Sequence, residues 1–289
     1  MIANCRIFSG MILTVALVLT GGTASIAQTP GKYPPPAQQD KDKKPATEPL
    51  TLENATTTPP PVNAEEDAAF KAFSDIPTTD AEKKIASGEA FLQKYPQSRY
   101  RPVVYSPMVV SYVQIGQVDK MEAVGDKAIE LTPADLATLA VVSSTLPRAI
   151  TSTTVEPDKK LAKAERYAKQ AIEVAATLPK PDALTDEQFT KAKNQYLAMA
   201  HSGLGVVYFR RGKLAEAIPE LDQSTKIDPS PDPVNFYLLA MANQKTSHFD
   251  DAVAAYGKCA AIPSSLQATC KDGMEQAKKQ GATQLSAPK

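Results

Sequence analysis

The stretch that decides the fold is GLGVVYFRRGKLAEAIPELDQSTKIDPS, residues 203–230. Two apolar, helix-forming runs meet at Arg211-Gly212-Lys213, and the second stops at Asp228-Pro229. Glycine reaches the left-handed backbone that ends a helix, and proline disfavours helical geometry in the residue before it. Within the runs Gly205 and Ala217 are small, whereas Tyr208 and Leu221 are large. Small residues let two helices approach, and large ones fill the space that remains. The stretch therefore predicts two antiparallel helices sharing one apolar seam.

One such hairpin cannot bury its apolar face alone, so copies are expected. Moved forward by 35 positions, Leu204 and Gly205 fall on Leu239 and Ala240, Ala217 on Ala252, Leu221 on Tyr256 and Ser224 on Cys259. Moved back by 96 positions, Tyr208 falls on Tyr112, Gly212 on Gly116, Ser224 on Ala128 and Pro229 on Pro133. Between these copies lies a stretched unit, with one helix over 134–146, a second over 161–178, and PRAITSTTVEPD as an insertion in its turn. Thr185 and Gln188 have the spacing of a capping box and open a long helix into Tyr208. Asn63 with Glu66, and Thr79 with Glu82, predict two further helix starts. Residues 264–280 read as a polar terminal helix. Pro107 either sits in the first turn of a late-starting helix capped by Ser106 or kinks that helix, and Pro219 bends its own.

This pattern resembles the tetratricopeptide repeat, a helix-turn-helix unit of roughly 34 residues. The best copy is Leu204, Gly205, Tyr208, Gly212, Ala217, Leu221, Ser224 and Pro229. The next is Phe236, Leu239, Ala240, Ala252, Tyr256 and Cys259, and an earlier one is Tyr105, Met108, Tyr112, Gly116, Ala128 and Pro133. Met121 and Gly125 depart from the family's residues. FLQKYPQS, residues 91–98, is similar to repeats of bacterial envelope-assembly proteins. The resemblance implies an all-α fold: a right-handed superhelix, or α-solenoid, of about four to five helical hairpins plus a C-terminal capping helix. It also implies a non-catalytic protein–protein interaction scaffold whose first helices line a concave face. Transferred onto this chain, the inward positions are Ser106, Val110 and Val113, then Ser202, Val206 and Phe209, then Tyr237, Met241 and Gln244. Arg210 and Lys245 stand near the helix ends. The Lys and Asn clamp that some members use for a C-terminal carboxylate is missing from these positions. Val110, Val113, Val206, Phe209, Arg210, Tyr237, Met241 and Lys245 are the candidate partner-binding residues, and the ligand expected is a peptide or protein segment. Packing against a neighbouring helix explains the apolar ones equally well, because periodicity does not separate core from groove.

Composition narrows the function. Lys plus Arg and Asp plus Glu number 32 each, which gives no electrostatic reason to bind nucleic acid or an anionic membrane. Aromatic residues make up 6% and Trp is absent, a composition of helices with small contact residues. Arg6, the apolar run over 11–20 and the small residues Ser25-Ile26-Ala27 predict a signal peptide over 1–27, cleaved before Gln28. The alternative is an uncleaved membrane anchor, although the run is shorter than the ~20 residues a spanning helix needs. Export places the protein in the periplasm or outside the cell; an anchor would tether it to the membrane, and cleavage leaves no membrane span. Residues 28–62 are a Pro-rich, charged linker expected to be disordered, with a glycosylation-type triplet at Asn54. The repeat domain is placed at 63–281 and a disordered tail at 282–289.

Cys259 and Cys270 remain after signal removal, and an exported chain keeps a disulfide between residues so placed. Alternatively Cys259 is a small core residue in place of Ala. The two histidines, His201 and His248, are assigned to packing and to a solvated turn. GLGVVY lies mid-helix and is no dinucleotide loop, and no catalytic or metal motif is found, so neither cofactor nor metal is expected. A second functional reading is self-association or envelope assembly through convex or terminal surfaces.

Overall fold

The computed structural model describes residues 63–286. The segments read as a signal peptide (1–27) and a linker (28–62), with Asn54, lie outside the described residues. The described chain is α1 (Ala64–Ser74), α2 (Ala81–Lys94), α3 (Arg101–Gln114), α4 (Val118–Leu131), α5 (Leu136–Ala149), α6 (Pro157–Thr177), α7 (Asp186–Arg210), α8 (Leu214–Ile227), α9 (Pro233–Lys245), α10 (Phe249–Ala261) and α11 (Gln267–Ser286). No strand occurs among the described residues, and none of their helices is long and apolar enough to cross a membrane. Residues 63–69 belong to one unit, in which the Asn63 side chain accepts from the Glu65 and Glu66 amides at the start of α1. The compact unit from Phe70 onward holds everything that follows.

In that unit the helices pair as the repeat predicts. From α2 on, each helix packs against the next, and α3 also meets α5, α5 meets α7 and α7 meets α9. The hairpins are thus α3–α4, α5–α6, α7–α8 and α9–α10, with α11 packed on α10. The turns explain the pairing. Gly116 after α3 and Gly212 after α7 both have φ +72°. Beside them Gln117 donates to the Tyr112 carbonyl and Lys213 to the Tyr208 carbonyl, each at 2.9 Å. This closure satisfies the last helical carbonyls. After α9 the same place is taken by Ser247, at φ 64°, and His248 donates to the Asn243 carbonyl at 2.8 Å.

Several boundaries differ from those read in the sequence. α2 is capped by Asp80, whose carboxylate accepts from the Lys83 amide, rather than by Thr79. α3 does not start late: Pro102 opens it and Pro107 lies inside it. The Ser111 hydroxyl donates back to the Pro107 carbonyl there, at 3.1 Å. Pro147, Arg148 and Ala149, assigned to the turn insertion, are the last residues of α5. α11 runs to Ser286, past the domain end placed at 281, since no Gly or Pro interrupts residues 282–286. The long α7 opens with the capping box read in the sequence: Thr185 and Gln188 exchange side-chain and backbone bonds at 3.2 and 3.0 Å.

The second helices are tied by charge. Lys160 and Lys163 of α6 both reach Glu122 of α4, at 2.5 and 2.6 Å, and Lys163 also reaches Asp126 at 2.6 Å. Burial pushes the Glu122 carboxyl up, but hydrogen bonds and charge from the two ammoniums pull it down further, so its pKa lies below the usual 4.5. A carboxylate lowered on folding stabilises the protein above its unfolded pKa, and the gain disappears as pH falls through the folded value. Glu122→Gln is therefore expected to cost about 1 kcal/mol at pH 7. In urea unfolding the gap to the unaltered protein should close as pH drops below 4.5. A gap that stays constant into acid would show that the charge of Glu122 is not what binds α4 to α6.

Candidate functional site

α9 and α11 stand on either side of an open groove of about 580 Å³. α9 lends it Tyr237, Met241, Gln244 and Lys245, spaced as one helical face. α11 lends it Thr269, Asp272, Gly273, Gln276 and Gln280, again one face. Tyr256 of α10 forms the floor. The local sequence sets these faces. Asp232 caps α9 by accepting from the Val234 amide at 2.9 Å, with Pro233 in the first turn. α11 comes close because Gly273 lies against the Tyr256 ring, where a Cβ would fall 2.6 Å from it.

A chain of hydrogen bonds crosses from floor to far wall. The Tyr256 hydroxyl donates to Gln244 Oε1 at 2.9 Å, and Gln244 Nε2 donates to Gln280 Oε1 at 2.8 Å. Burial, aided by Tyr237, pushes the Tyr256 phenol up to about 12, so it is a neutral donor at physiological pH. The groove therefore offers two aromatic rings and a thioether for apolar contact, three amides of which two are bonded to each other, and one charge of each sign in Lys245 and Asp272. This is chemistry for holding a peptide. Behind it Cys259 and Cys270 are joined as a disulfide, with Cα atoms 5.9 Å apart and no solvent exposure at either residue.

Tyr237, Met241 and Lys245 are thus brought together. The other candidates are not. Val206 is 4% exposed and Ser202 3%, because α7 is enclosed by α5, α6 and α8; both belong to the core. Phe209 is half-buried against the C-terminal core, outside the groove. Arg210 is exposed and donates to the Ile150 carbonyl at 3.0 Å, and partial burial lowers its pKa. Val110 and Val113 are half-buried on α3 and do not line the groove. His201 pairs with Glu220 at 2.6 Å, and His248 bonds the Thr246 hydroxyl at 2.9 Å. Among the described residues no group of three or more His, Cys, Asp or Glu is placed to hold a metal ion.

The residue that sequence reasoning missed is Arg148. Its guanidinium reaches Asp232 at 2.6 Å, and Ser202 and Asn235 at 2.7 Å each. Asn235 accepts from Ser202 at 2.8 Å and donates to Ser224 at 3.0 Å, and Ser224 donates to the Ala198 carbonyl at 2.9 Å. One side chain at the end of α5 thereby joins α7, α8 and the cap of α9. Its partners lie 54 to 87 residues away, with no local spacing to announce them.

The tetratricopeptide-repeat family model matches residues 200–231, the end of α7 and the whole of α8. Set on the stacked hairpins, this match marks the end of α7 and α8 as a tetratricopeptide repeat within an all-helical array of paired helices. Proteins of this family are generally non-catalytic, and the fold suggests a protein–protein interaction scaffold. Among the solved structures similar to it are the following two. The MamA RS-1 ArsTM double mutant is 13% identical with a TM-score of 0.49, over 68% of this chain and 93% of that one. A thermophilic TPR protein of Thermus thermophilus is 19% identical with a TM-score of 0.43, over 76% of this chain and 97% of that one. No curated protein matches the chain.

Proposed function

We propose that the protein is an exported, non-catalytic scaffold that binds a peptide or protein segment in the groove between α9 and α11. The observation that carries this reading is the α9 face. Tyr237 and Met241 stay only partly buried there, beside a side-chain amide suited to main-chain groups. Apolar side chains and a backbone-like donor and acceptor on one face are what an extended or helical segment needs. Export rests on Arg6, the apolar run and Ser25-Ile26-Ala27. A bridged, exported chain also fits an oxidising compartment.

A pull-down with the mature protein separates the two functional readings: heterologous partners support the groove, and recovery of only this chain supports self-assembly. With the recovered partner in hand, Met241→Asp is expected to weaken binding at least about ten-fold, because a charge would have to be desolvated in the interface. Helical circular dichroism should be unchanged. Phe209→Asp, outside the groove, should leave the affinity within about three-fold. Equal losses in both variants would move the binding surface away from α9 and α11.

A further inference from the structure

We propose that the Cys259–Cys270 bridge is a latch on the groove: the oxidised chain holds α11 in place as the far wall, and reduction releases it. α11 is poorly equipped to hold itself. Of its described residues only Cys270 and Ala277 are fully buried. Gly273, Met274 and Gly281 are half-buried beside them. The spacing of these five gives one narrow stripe, and Met274 is the only large apolar side chain in residues 267–284. Such a stripe removes little apolar surface from water, and a helix in a protein draws most of its stability from packing such a face rather than from its own backbone. Across the groove, α9 holds α11 by the Gln244–Gln280 hydrogen bond. The bridge ties the wall helix to α10, with Cys270 next to Thr269 and within one turn of Asp272 and Gly273.

The redox step balances with a dithiol as reductant. Its thiolate attacks one cysteine sulfur, the S–S bond breaks and a mixed disulfide forms. The second thiol then displaces the remaining protein sulfur, leaving two protein thiols and an oxidised, cyclic dithiol. Because neither cysteine is exposed, attack has to follow a transient opening of α11. In a reducing compartment the chain would carry half a groove, and in an oxidising one a whole groove. That functional consequence rests on the groove being the binding site; the latch itself does not.

Hydrogen exchange of the full chain, read by mass spectrometry without any ligand, tests the latch. After dithiothreitol treatment, with the two-dalton gain of the reduced cysteines confirmed, amides over 274–283 should exchange at least about ten-fold faster. Amides of α7 and α8 should be unaffected. The double variant Cys259→Ala/Cys270→Ala keeps small apolar residues at both positions, and it should show the same loss without reductant. A smaller rise in α11, or a loss spread evenly through α7 and α8, overturns the proposal. Loss of partner binding by Met241→Asp is a separate result, so failure of the latch and failure of the groove are distinguishable.

Discussion

Gly203→Ala is expected to destabilise the protein by roughly 2–3 kcal/mol, a large effect for one methyl group. α7 crosses α5 at this glycine, and an added Cβ would sit 2.5 Å from the Ser143 carbonyl oxygen and 2.7 Å from its carbon. Both atoms are helix backbone, which cannot rotate aside as a side-chain tip can. Relief requires α7 to move off α5, and α5, α7 and α9 touch in succession down the stack. For a domain of this size the midpoint of thermal unfolding should fall by about 5–10 °C. Gly257→Ala is the control. It lies inside α10, and its added Cβ would meet only Met274 Sδ, at 3.9 Å. Removing an unneeded helix-interior glycine should stabilise by about 0.5–1 kcal/mol. If Gly203→Ala were as benign as Gly257→Ala, the close crossing of α5 and α7 would be wrong.

Arg148→Met should cost about 3–5 kcal/mol. The guanidinium and the Asp232 carboxylate are only 19% and 16% exposed. Removing the cation leaves an unpaired, largely buried carboxylate and deprives Ser202 and Asn235 of a partner. The effect should reach the groove, because Asp232 also caps α9. Asp232→Asn in the Arg148→Met background is expected to cost much less than it does alone. Such non-additivity marks residues that act as one network. Urea unfolding of the four proteins in that cycle gives the coupling directly, and strict additivity would show that the two residues do not support each other.

Much of the fold was legible because a repeat states its pattern more than once. Gly116 and Gly212, 96 positions apart, adopt the same φ, and the capping box at Thr185 opens the helix it announced. What stayed hidden depends on tertiary structure. Val206 and Tyr237 both fall on apolar faces of first helices, yet only the neighbours of α7 bury one and leave the other half open. The α9 wall of the groove could be read from the tetratricopeptide resemblance. The α11 wall could not, because Thr269, Asp272, Gln276 and Gln280 look like the solvated side of a capping helix. Arg148 stood in a Ser- and Thr-rich stretch that resembles a loop, with every partner distant in sequence.

The most direct test of the groove is site-specific photocrosslinking in the native compartment. A benzophenone side chain is placed at Met241 in one version of the protein and at Glu173 in another; Glu173 is an exposed position on the second helix α6. Mass spectrometry then maps the captured peptides. Crosslinks from Met241 to one recurring segment of a heterologous protein, with none from Glu173, are the predicted result. Capture of that segment equally from Glu173, or from Glu173 alone, would contradict binding between α9 and α11.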